Sequence, residues 1–309
     1  MHYYKVFGYI FRCEYEIAQL YEVEPTSLYD VDILIGQMPE EIIEAAENET
    51  IFPCISWNSE RFWMNNPYGI LAVFKSGKIF AKSPSGEDVL YLLQYVLGYG
   101  IAMYAHLHNR ITIHCGCVAI NGQCVLISGN SGAGKSTLTH ELIASGATML
   151  SDDVVAIGYD ENHNALVYPA FPQQKLCRDA ALQKGYNLDE LLYIDPEKDK
   201  FAVLHTDNFS TEPHPLHTAV YLECYESKDE NSASKLHITE LDGFQKVAFL
   251  VNNLYLGCII PNTGFPAESF QLCVDLVKNS HVYRIKRPTG QDTLTEIKEF
   301  IYNSLETKE

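Results

Sequence analysis

The sequence predicts an α/β fold, with a smaller α+β region ahead of the main core. Three observations carry that prediction. Strand-like and helix-like segments alternate through the second two thirds of the chain. A glycine-rich stretch, Gly129–Ser136, stands between one such strand and one such helix. Finally, 309 residues of which 47% are apolar can bury a sizeable core. That length suits two domains or one large one, and we divide it into an N-terminal region, 1–105, and a main domain, 106–309.

The elements follow in order. "GILAVFKSG" and "KIFAKS" predict a hairpin turning near Ser76 and Gly77. "EDVLYLLQYVLGYGIAMYAHL" predicts a largely apolar helix, bent near Gly98 and Gly100. "ITIHCGCVAI", Asn121-Gly122 and "QCVLIS" predict strand, tight turn and strand, because Asn-Gly supplies the positive φ angles a two-residue hairpin needs. A helix is expected from Lys135 to Ser145, ended by Gly146, and then a strand in "ATMLS". "VVAIGYD" predicts another strand, a turn at Glu161–Asn164 follows, and 179–216 is polar and loop-rich. "HTAVYLECYE" and "HVYRIKRP" predict strands, while "GFQKVAFLVNNLYLG" and "AESFQLCVDLVKNS" predict helices. "DTLTEIKEFIYNSLE" closes the chain as an amphipathic helix with Leu294, Ile297, Ile301 and Leu305 on one face.

Gly129-x-x-x-x-Gly134-Lys135-Ser136 is a full phosphate-binding loop pattern in the required context, after a strand and before a helix. Its nine candidate nucleotide contacts are Gly129, Asn130, Ser131, Gly132, Ala133, Gly134, Lys135, Ser136 and Thr137. The glycines let backbone N–H groups turn inward around phosphate oxygens, and the helix N-terminus adds its positive dipole end. Lys135 would reach the β- and γ-phosphates of ATP, and the Ser136 hydroxyl would bind Mg²⁺.

A strand–loop–helix–strand unit then returns the chain beside Cys124–Ser128, with both strands ending at one sheet edge. That delivers Asp152 and Asp153 next to the metal and the γ-phosphate. One aspartate can hold Mg²⁺, and the other can take the proton of an incoming hydroxyl.

Composition sets limits. The net charge of −18 argues against nucleic-acid partners and anionic membranes. No apolar run is long enough to span a bilayer, and the start lacks the pattern of a secretory signal. The nine cysteines include no C-x-x-C pair, so reduced thiols, mostly small buried apolar groups, are expected in a cytoplasmic protein. His106 and His108 should diverge at a helix end, and no ligand spacing suggests zinc.

The stretch "VLISGNSGAGKSTLTHELIASGATMLSDD" resembles the core of HPr kinase/phosphorylase and HPr-kinase-like proteins, whose fold is shared with phosphoenolpyruvate carboxykinase. The loop, the eighteen-residue step from Lys135 to Asp153, and the upstream "IHCGCVAINGQ" carry the resemblance. It implies that Asp153 is the general base, that Asp152 and Ser136 are metal-side groups, and that His114 faces the site. "PAFPQQKL" resembles the P-x-x-P-x-x-[RK]-L element of a divergent branch found beside ribosomal-peptide genes, which puts Lys175 at its basic position; some lasso-peptide relatives phosphorylate a precursor serine. The Glu-Ile-Arg-Gly segment of true HPr kinases is missing after Asp153. Phosphorolysis and HPr itself as substrate are therefore not expected. Hexamers occur in that family, so a homo-oligomer is among the expectations here.

The resulting expectation is an ATP- and Mg²⁺-dependent kinase acting on a serine-type hydroxyl of a peptide or protein, with region 1–105 serving acceptor recognition. Lys175, Arg178 or Lys200 would supply positive charge to the transferring group, the last two reading more as surface charges. A small-molecule kinase and a non-enzymatic nucleotide sensor are the alternatives.

Overall fold

The computed structural model describes residues 1–50, 53–67, 69–83, 89–195, 198–226, 236–257 and 265–306. Glu87 and Asp88, the first residues of the expected apolar helix, lie outside these.

The N-terminal region is a seven-stranded mixed sheet. Its strands are β1 (His2–Val6), β2 (Tyr9–Cys13), β3 (Val31–Ile35), β4 (Cys54–Trp57), β5 (Arg61–Asn66), β6 (Gly69–Phe74) and β7 (Lys78–Lys82), in the order β1-β2-β3-β7-β6-β5-β4. The expected hairpin is β6–β7. Helix α1 (Glu40–Glu47) sets Ile42 and Ala46 against Trp63 and Ala72 of the sheet. The long apolar segment forms α2 (Val89–Tyr95), a single π-helical turn (Val96–Gly100) and α3 (Ile101–Leu107). The bend read from the two glycines is thus a π-bulge, a form that recurs at functional sites. Among the described residues no helix is long and apolar enough to cross a membrane.

The main domain surrounds a six-stranded sheet. "ITIHCGCVAI" is two strands rather than one: β8 (Ile111–His114) and β9 (Gly116–Ile120) part at Cys115 and join different sheets. β10 (Gln123–Gly129) pairs with β9 across the Asn121-Gly122 turn, where both residues have positive φ. Helix α4 (Lys135–Ala144) leads to β11 (Thr148–Ser151). The return strand does not lie beside β10 as expected. β9 occupies that place, giving β11-β9-β10-β17-β19-β18, with β17 (Leu216–Tyr225), β18 (His237–Glu240) and β19 (His281–Pro288) completing the sheet. β11 and β9 are antiparallel, as are β9 and β10. β11 therefore still runs parallel to β10 and ends at the same edge, which is what brings the aspartates to the loop.

Both faces of this sheet are buried, and side chains alternate between them. On β10, Cys124 and Leu126 join one apolar cluster while Val125 and Ile127 join the other. α4 and α8 (Leu294–Glu306) cover the second face, where Ile297 and Ile301 are fully buried. The first face is covered by α6 (Gly243–Asn252), by α7 (Ala267–Val277) and by a small sheet, β13-β12-β8, of β12 (Val154–Tyr159) and β13 (Ala165–Tyr168) with β8. The polar stretch 179–216 is less irregular than its composition predicts. It carries most of α5 (Arg178–Gln183), together with β15 (Leu192–Asp195) and β16 (Lys200–Leu204). β16 pairs with β15 on one side and with β14 (Gln173–Cys177) on the other in a third sheet, whose mixed burial hides the alternation.

The N-terminal core does not stop at residue 105. Its cluster takes in Val154, Ala156, Tyr168, Ala170, Phe171 and Leu256. Arg110 rivets the two parts: its guanidinium carbon lies 4.2 Å from the ring centre of Tyr9 and 3.8 Å from that of Tyr168. Each such partly desolvated contact contributes about 0.5–2 kcal/mol. Arg110→Ala is expected to lower stability by about 1–3 kcal/mol. Urea unfolding measures this, and an unchanged midpoint would show that the rivet is not stabilising.

Candidate active site

The loop begins where β10 ends. Gly129 has φ 147°, and a Cβ placed there would sit 2.3 Å from the carbonyl oxygen of Leu222 on β17. Only glycine allows so close an approach. The loop is pinned by the Asn130 N–H to the Leu222 carbonyl (3.3 Å) and by the Tyr221 hydroxyl to Asn130 Oδ1 (2.8 Å). Gly134, at φ 96°, stands at the N-cap of α4, and no side chain caps that helix. Its first N–H groups thus remain available to an anion, reinforced by the helix dipole. Lys135 folds back over the loop and donates to the carbonyls of Gly129 (2.9 Å) and Asn130 (3.2 Å). Burial lowers its pKa, against the pull of Asp153 and with the help of Lys200. Thr137 lies in the first turn of α4.

The Ser-Asp-Asp turn joins β11 to β12. Its serine is structural: Ser151 Oγ donates to the Val154 carbonyl (2.6 Å) and accepts from the N–H groups of Val154 (3.1 Å) and Asp153 (3.3 Å). This buried knot turns the two aspartates to different partners. Asp152 points inward and is only 6% exposed. It accepts from Ser136 Oγ (3.3 Å), from the Lys175 backbone N–H (2.9 Å) and from Gln174 Nε2 (3.3 Å). Burial pushes its pKa up to about 6 despite those donors, and the charge of Asp153 adds to the rise. Asp153 meets the Lys175 ammonium at 2.7 Å and His114 Nδ1 at 3.4 Å. Burial alone would raise its carboxyl, but Lys175, His114 and Lys200 hold it below the usual range. The His114 ring is half exposed; its desolvation outweighs Asp153 and keeps its pKa low.

The structure thus brings together the loop, Lys135, Ser136, Asp152, Asp153, His114 and Lys175. Of the other basic candidates, Arg178 is exposed and paired with Asp199 at 2.8 Å, while Lys200 lies close enough to act on both Lys135 and Asp153. His106 packs on Trp57 and His108 bonds the Lys75 carbonyl, so the two do diverge.

Sequence reading missed several partners. Gln174 donates to the Ser136 carbonyl (3.0 Å) and to Asp152, and its Oε1 meets His140 (3.0 Å) and His205 (3.2 Å). Arg287 at the end of β19 reaches the Ala133 carbonyl, with its Nη1 2.7 Å from where a Gly134 Cβ would sit and its Nε buried without a partner. Asn253 accepts from Ser128 Oγ (2.5 Å), and its carbonyl takes the His114 N–H (2.8 Å). No local pattern marks these residues; only the sheet order delivers them.

Two hollows adjoin the site. The larger, about 260 Å³, lies beyond Tyr221 and is lined by Glu223, Phe249, Asn253 and Arg284. The smaller, about 40 Å³, is the one that touches Asp153 and Lys175. Among the described residues no cluster of three or more His, Cys, Asp or Glu side chains could hold a metal by itself.

Residues 105–173 match the HPr Serine kinase C-terminal domain family. The chain is also 33% identical over 63 residues to the HPr kinase/phosphorylase of Mycoplasmopsis pulmonis (strain UAB CTIP). That stretch is 20% of this chain and 20% of the relative, so the similarity spans about a fifth of the relative's length. Among solved structures, the Hpr(Ser) kinase/phosphatase from Coxiella burnetii aligns with 62% of this chain and 94% of its own, at 16% identity and a TM-score of 0.30, a likeness too slight to bear on the fold. Both sequence similarities support an HPr-kinase-like domain in this chain.

Proposed function

We propose that the protein is an ATP-dependent kinase that transfers the γ-phosphoryl group to a serine-type hydroxyl of a peptide or protein. The observation that carries this reading is the meeting at Asp153 of Lys175 and His114, at the mouth of a glycine loop whose helix N-terminus is uncapped. The matched segment, residues 105–173, holds the loop and both aspartates.

In this reading the loop N–H groups and Lys135 hold the β- and γ-phosphates. Ser136 and Asp152 fit one Mg²⁺, which is commonly held by one or two protein oxygens and completed by phosphates and water. A buried carboxylate whose pKa is lifted to about 6 gains by taking a cation. The ion, when bound, neutralises phosphate charge. Asp153 orients the acceptor hydroxyl and takes its proton. The acceptor oxygen bonds to the γ-phosphorus as the bond from that phosphorus to the β–γ bridging oxygen breaks, and ADP leaves with that electron pair. Lys175 is shared between Asp153 and the transferring group. As it turns to the phosphoryl oxygens, Asp153 loses its nearest positive charge and becomes the stronger base.

A small-molecule kinase is less well supported. A cavity of about 40 Å³ beside Asp153 takes a slender hydroxyl arm but not a whole sugar or nucleoside. A precursor peptide of a ribosomal-peptide pathway suits the resemblance. The test is incubation with γ-labelled ATP, Mg²⁺ and candidate serine peptides, read by mass spectrometry. Transfer to a peptide hydroxyl is expected. Nucleotide binding with no labelled acceptor in a broad panel favours a sensor.

A further inference from the structure

Asp152 is held by a side chain that neither the loop pattern nor the aspartate pair announces. Gln174, on β14, is fully buried. Its Nε2 lies 3.0 Å from the Ser136 carbonyl and 3.3 Å from Asp152 Oδ1. Its Oε1 lies 3.0 Å from His140 Nδ1 and 3.2 Å from His205 Nε2. These four contacts fix which way round the amide sits. The Ser136 carbonyl can only accept, so it must meet the NH₂ end. The amide oxygen then faces the two rings, and each ring nitrogen facing it must carry a proton. Burial lowers the pKa of both rings, that of His205 to about 4 with a smaller push from His140. Each ring is therefore neutral at pH 7, and the single N–H it owns is the one given to Gln174. His140 stands one turn after Ser136 on α4, and His205 follows β16, the strand paired with β14.

The consequence falls on the carboxylate. Asp152 Oδ1 is engaged by Gln174. Oδ2 is the oxygen that meets Ser136 Oγ at 3.3 Å, and the Lys175 N–H holds that oxygen at 2.9 Å. Each oxygen thus has its own tether, and the carboxylate cannot rotate without breaking both. Only Oδ2 is presented together with the Ser136 hydroxyl.

Cations differ in what they ask of such a group. Mg²⁺ is small, demands near-ideal octahedral geometry and is satisfied by one oxygen of a carboxylate, with phosphates and water completing it. Ca²⁺ is larger, gathers more oxygens in looser geometry and readily takes both oxygens of one carboxylate. Resting on the reading above of Ser136 and Asp152 as the metal-side pair, we propose that Gln174, set by His140 and His205, is a positioning residue that confines Asp152 to one-oxygen binding and so makes the site select Mg²⁺ over Ca²⁺. The two histidines act through Gln174 alone: by donating to Oε1 they keep its NH₂ turned to Asp152 and Ser136.

The test separates the cation from the nucleotide. Affinity of the full chain for a non-hydrolysable ATP analogue is measured by calorimetry in Mg²⁺, in Ca²⁺ and in chelator. Wild type is expected to bind it more tightly in Mg²⁺ than in Ca²⁺. Gln174→Met keeps the bulk of the side chain and removes its polar atoms. It is expected to weaken binding in Mg²⁺ by about tenfold, the lower end of what a partner of a metal ligand contributes, while binding in Ca²⁺ and in chelator stays within about twofold. His140→Phe is expected to cost about three- to fivefold in Mg²⁺ alone, and His140→Asn, whose amide N–H replaces Nδ1–H, to stay within about twofold of wild type. The His140 ring is partly exposed, so this pair decides the matter if the methionine variant does not fold. Independently, ¹⁵N NMR of the imidazoles in the nucleotide-free protein is expected to find His140 protonated on Nδ1 and His205 on Nε2. Equal effects of the variants in all three conditions, including none, overturn the proposal, because an amide that only supports the loop acts whatever cation is present. Either ring protonated on its other nitrogen alone overturns it too, as does a wild type that binds the analogue no more tightly in Mg²⁺ than in Ca²⁺. If no cation strengthens binding to wild type, the metal reading of Asp152 fails; if the analogue does not bind at all, the kinase reading fails; the inference falls with either.

Discussion

Asp153→Asn is expected to lower the rate of phosphoryl transfer by about 10³-fold, within the 10²–10⁴ that a positioned general base contributes. Nucleotide affinity is expected to stay within about threefold. The side chain faces Lys175 and His114 rather than the loop amides, so the phosphate cradle is untouched. The amide keeps the volume and one acceptor oxygen, so Lys175 retains a partner at 2.7 Å geometry. What is lost is the capacity to take a proton as the acceptor oxygen bonds to phosphorus. Single-turnover transfer from γ-labelled ATP, with nucleotide binding measured in parallel, separates the two effects. An unchanged rate would remove Asp153 from the chemistry and leave Lys175 and His114 without a function at that position.

The part of this site that the sequence makes legible is the part built from one continuous segment. From Gln123 to Asp153 the chain forms strand, loop, helix and strand with local signals at each junction: glycines at the loop, Gly146 after the helix, and four residues of strand. Lys135 to Asp153 is short enough for helix and strand lengths to fix where the aspartates arrive. The error over the return strand has a definite cause. Pairing partners are set by the whole sheet, and the β9–β10 hairpin had already filled the place beside β10. The prediction about the shared edge survived because inserting one antiparallel strand restores the original direction two places away.

The rest of the site is assembled from distant segments and leaves little local trace. Gln174 contacts Ser136 from 38 positions away, and Arg287 reaches Ala133 across 154. The element "PAFPQQKL" shows how far local reading goes. It singles out Lys175, yet the same strand carries Gln174 toward Ser136 and Asp152, and Gln173 toward the cavity. Of these three consecutive residues, Gln173 lines the small cavity, Gln174 meets Ser136 and Asp152, and Lys175 meets Asp153, a division visible only once β14 is placed against the Ser-Asp-Asp turn. The joint core behaves the same way. The order of helix and strand signals suggests a boundary near residue 105, but the N-terminal cluster draws in Val154, Tyr168 and Phe171, the chain just beyond Asp152 and Asp153.

Asp152→Asn is expected to separate stability from function. In the folded protein the Asp152 carboxyl titrates near 6, against an ordinary value near 3.8. Between those values the folded state binds more protons than the unfolded one, so stability falls as pH rises from about 4 through 6 and then levels. A shift of this size corresponds to roughly 3 kcal/mol as an upper bound. Asparagine carries no charge to desolvate. Its oxygen can take the Oδ2 position, which receives the Lys175 N–H, while its NH₂ must then face Gln174 Nε2 in place of an acceptor. The net gain in stability is therefore expected to be about 1–2 kcal/mol above pH 7 in chelator. Near pH 4, where the wild-type carboxyl is protonated when folded, only the mismatch with Gln174 remains and the variant should be the less stable by about 1–2 kcal/mol. The same change removes the anionic metal ligand. Mg²⁺ is then expected to raise the Tm of nucleotide-loaded wild type but not of the variant, and transfer at millimolar Mg²⁺ to fall by at least about 10²-fold. In wild type, Mg²⁺-dependent stabilisation should fade as pH drops below about 6, where the proton competes for the carboxylate. Thermal unfolding across pH 4–8, with chelator or Mg²⁺, tests all of this together. A variant-to-wild-type difference that does not vary with pH would show that Asp152 is not the strained carboxylate its burial makes it. A retained Mg²⁺ response would move the metal to other oxygens.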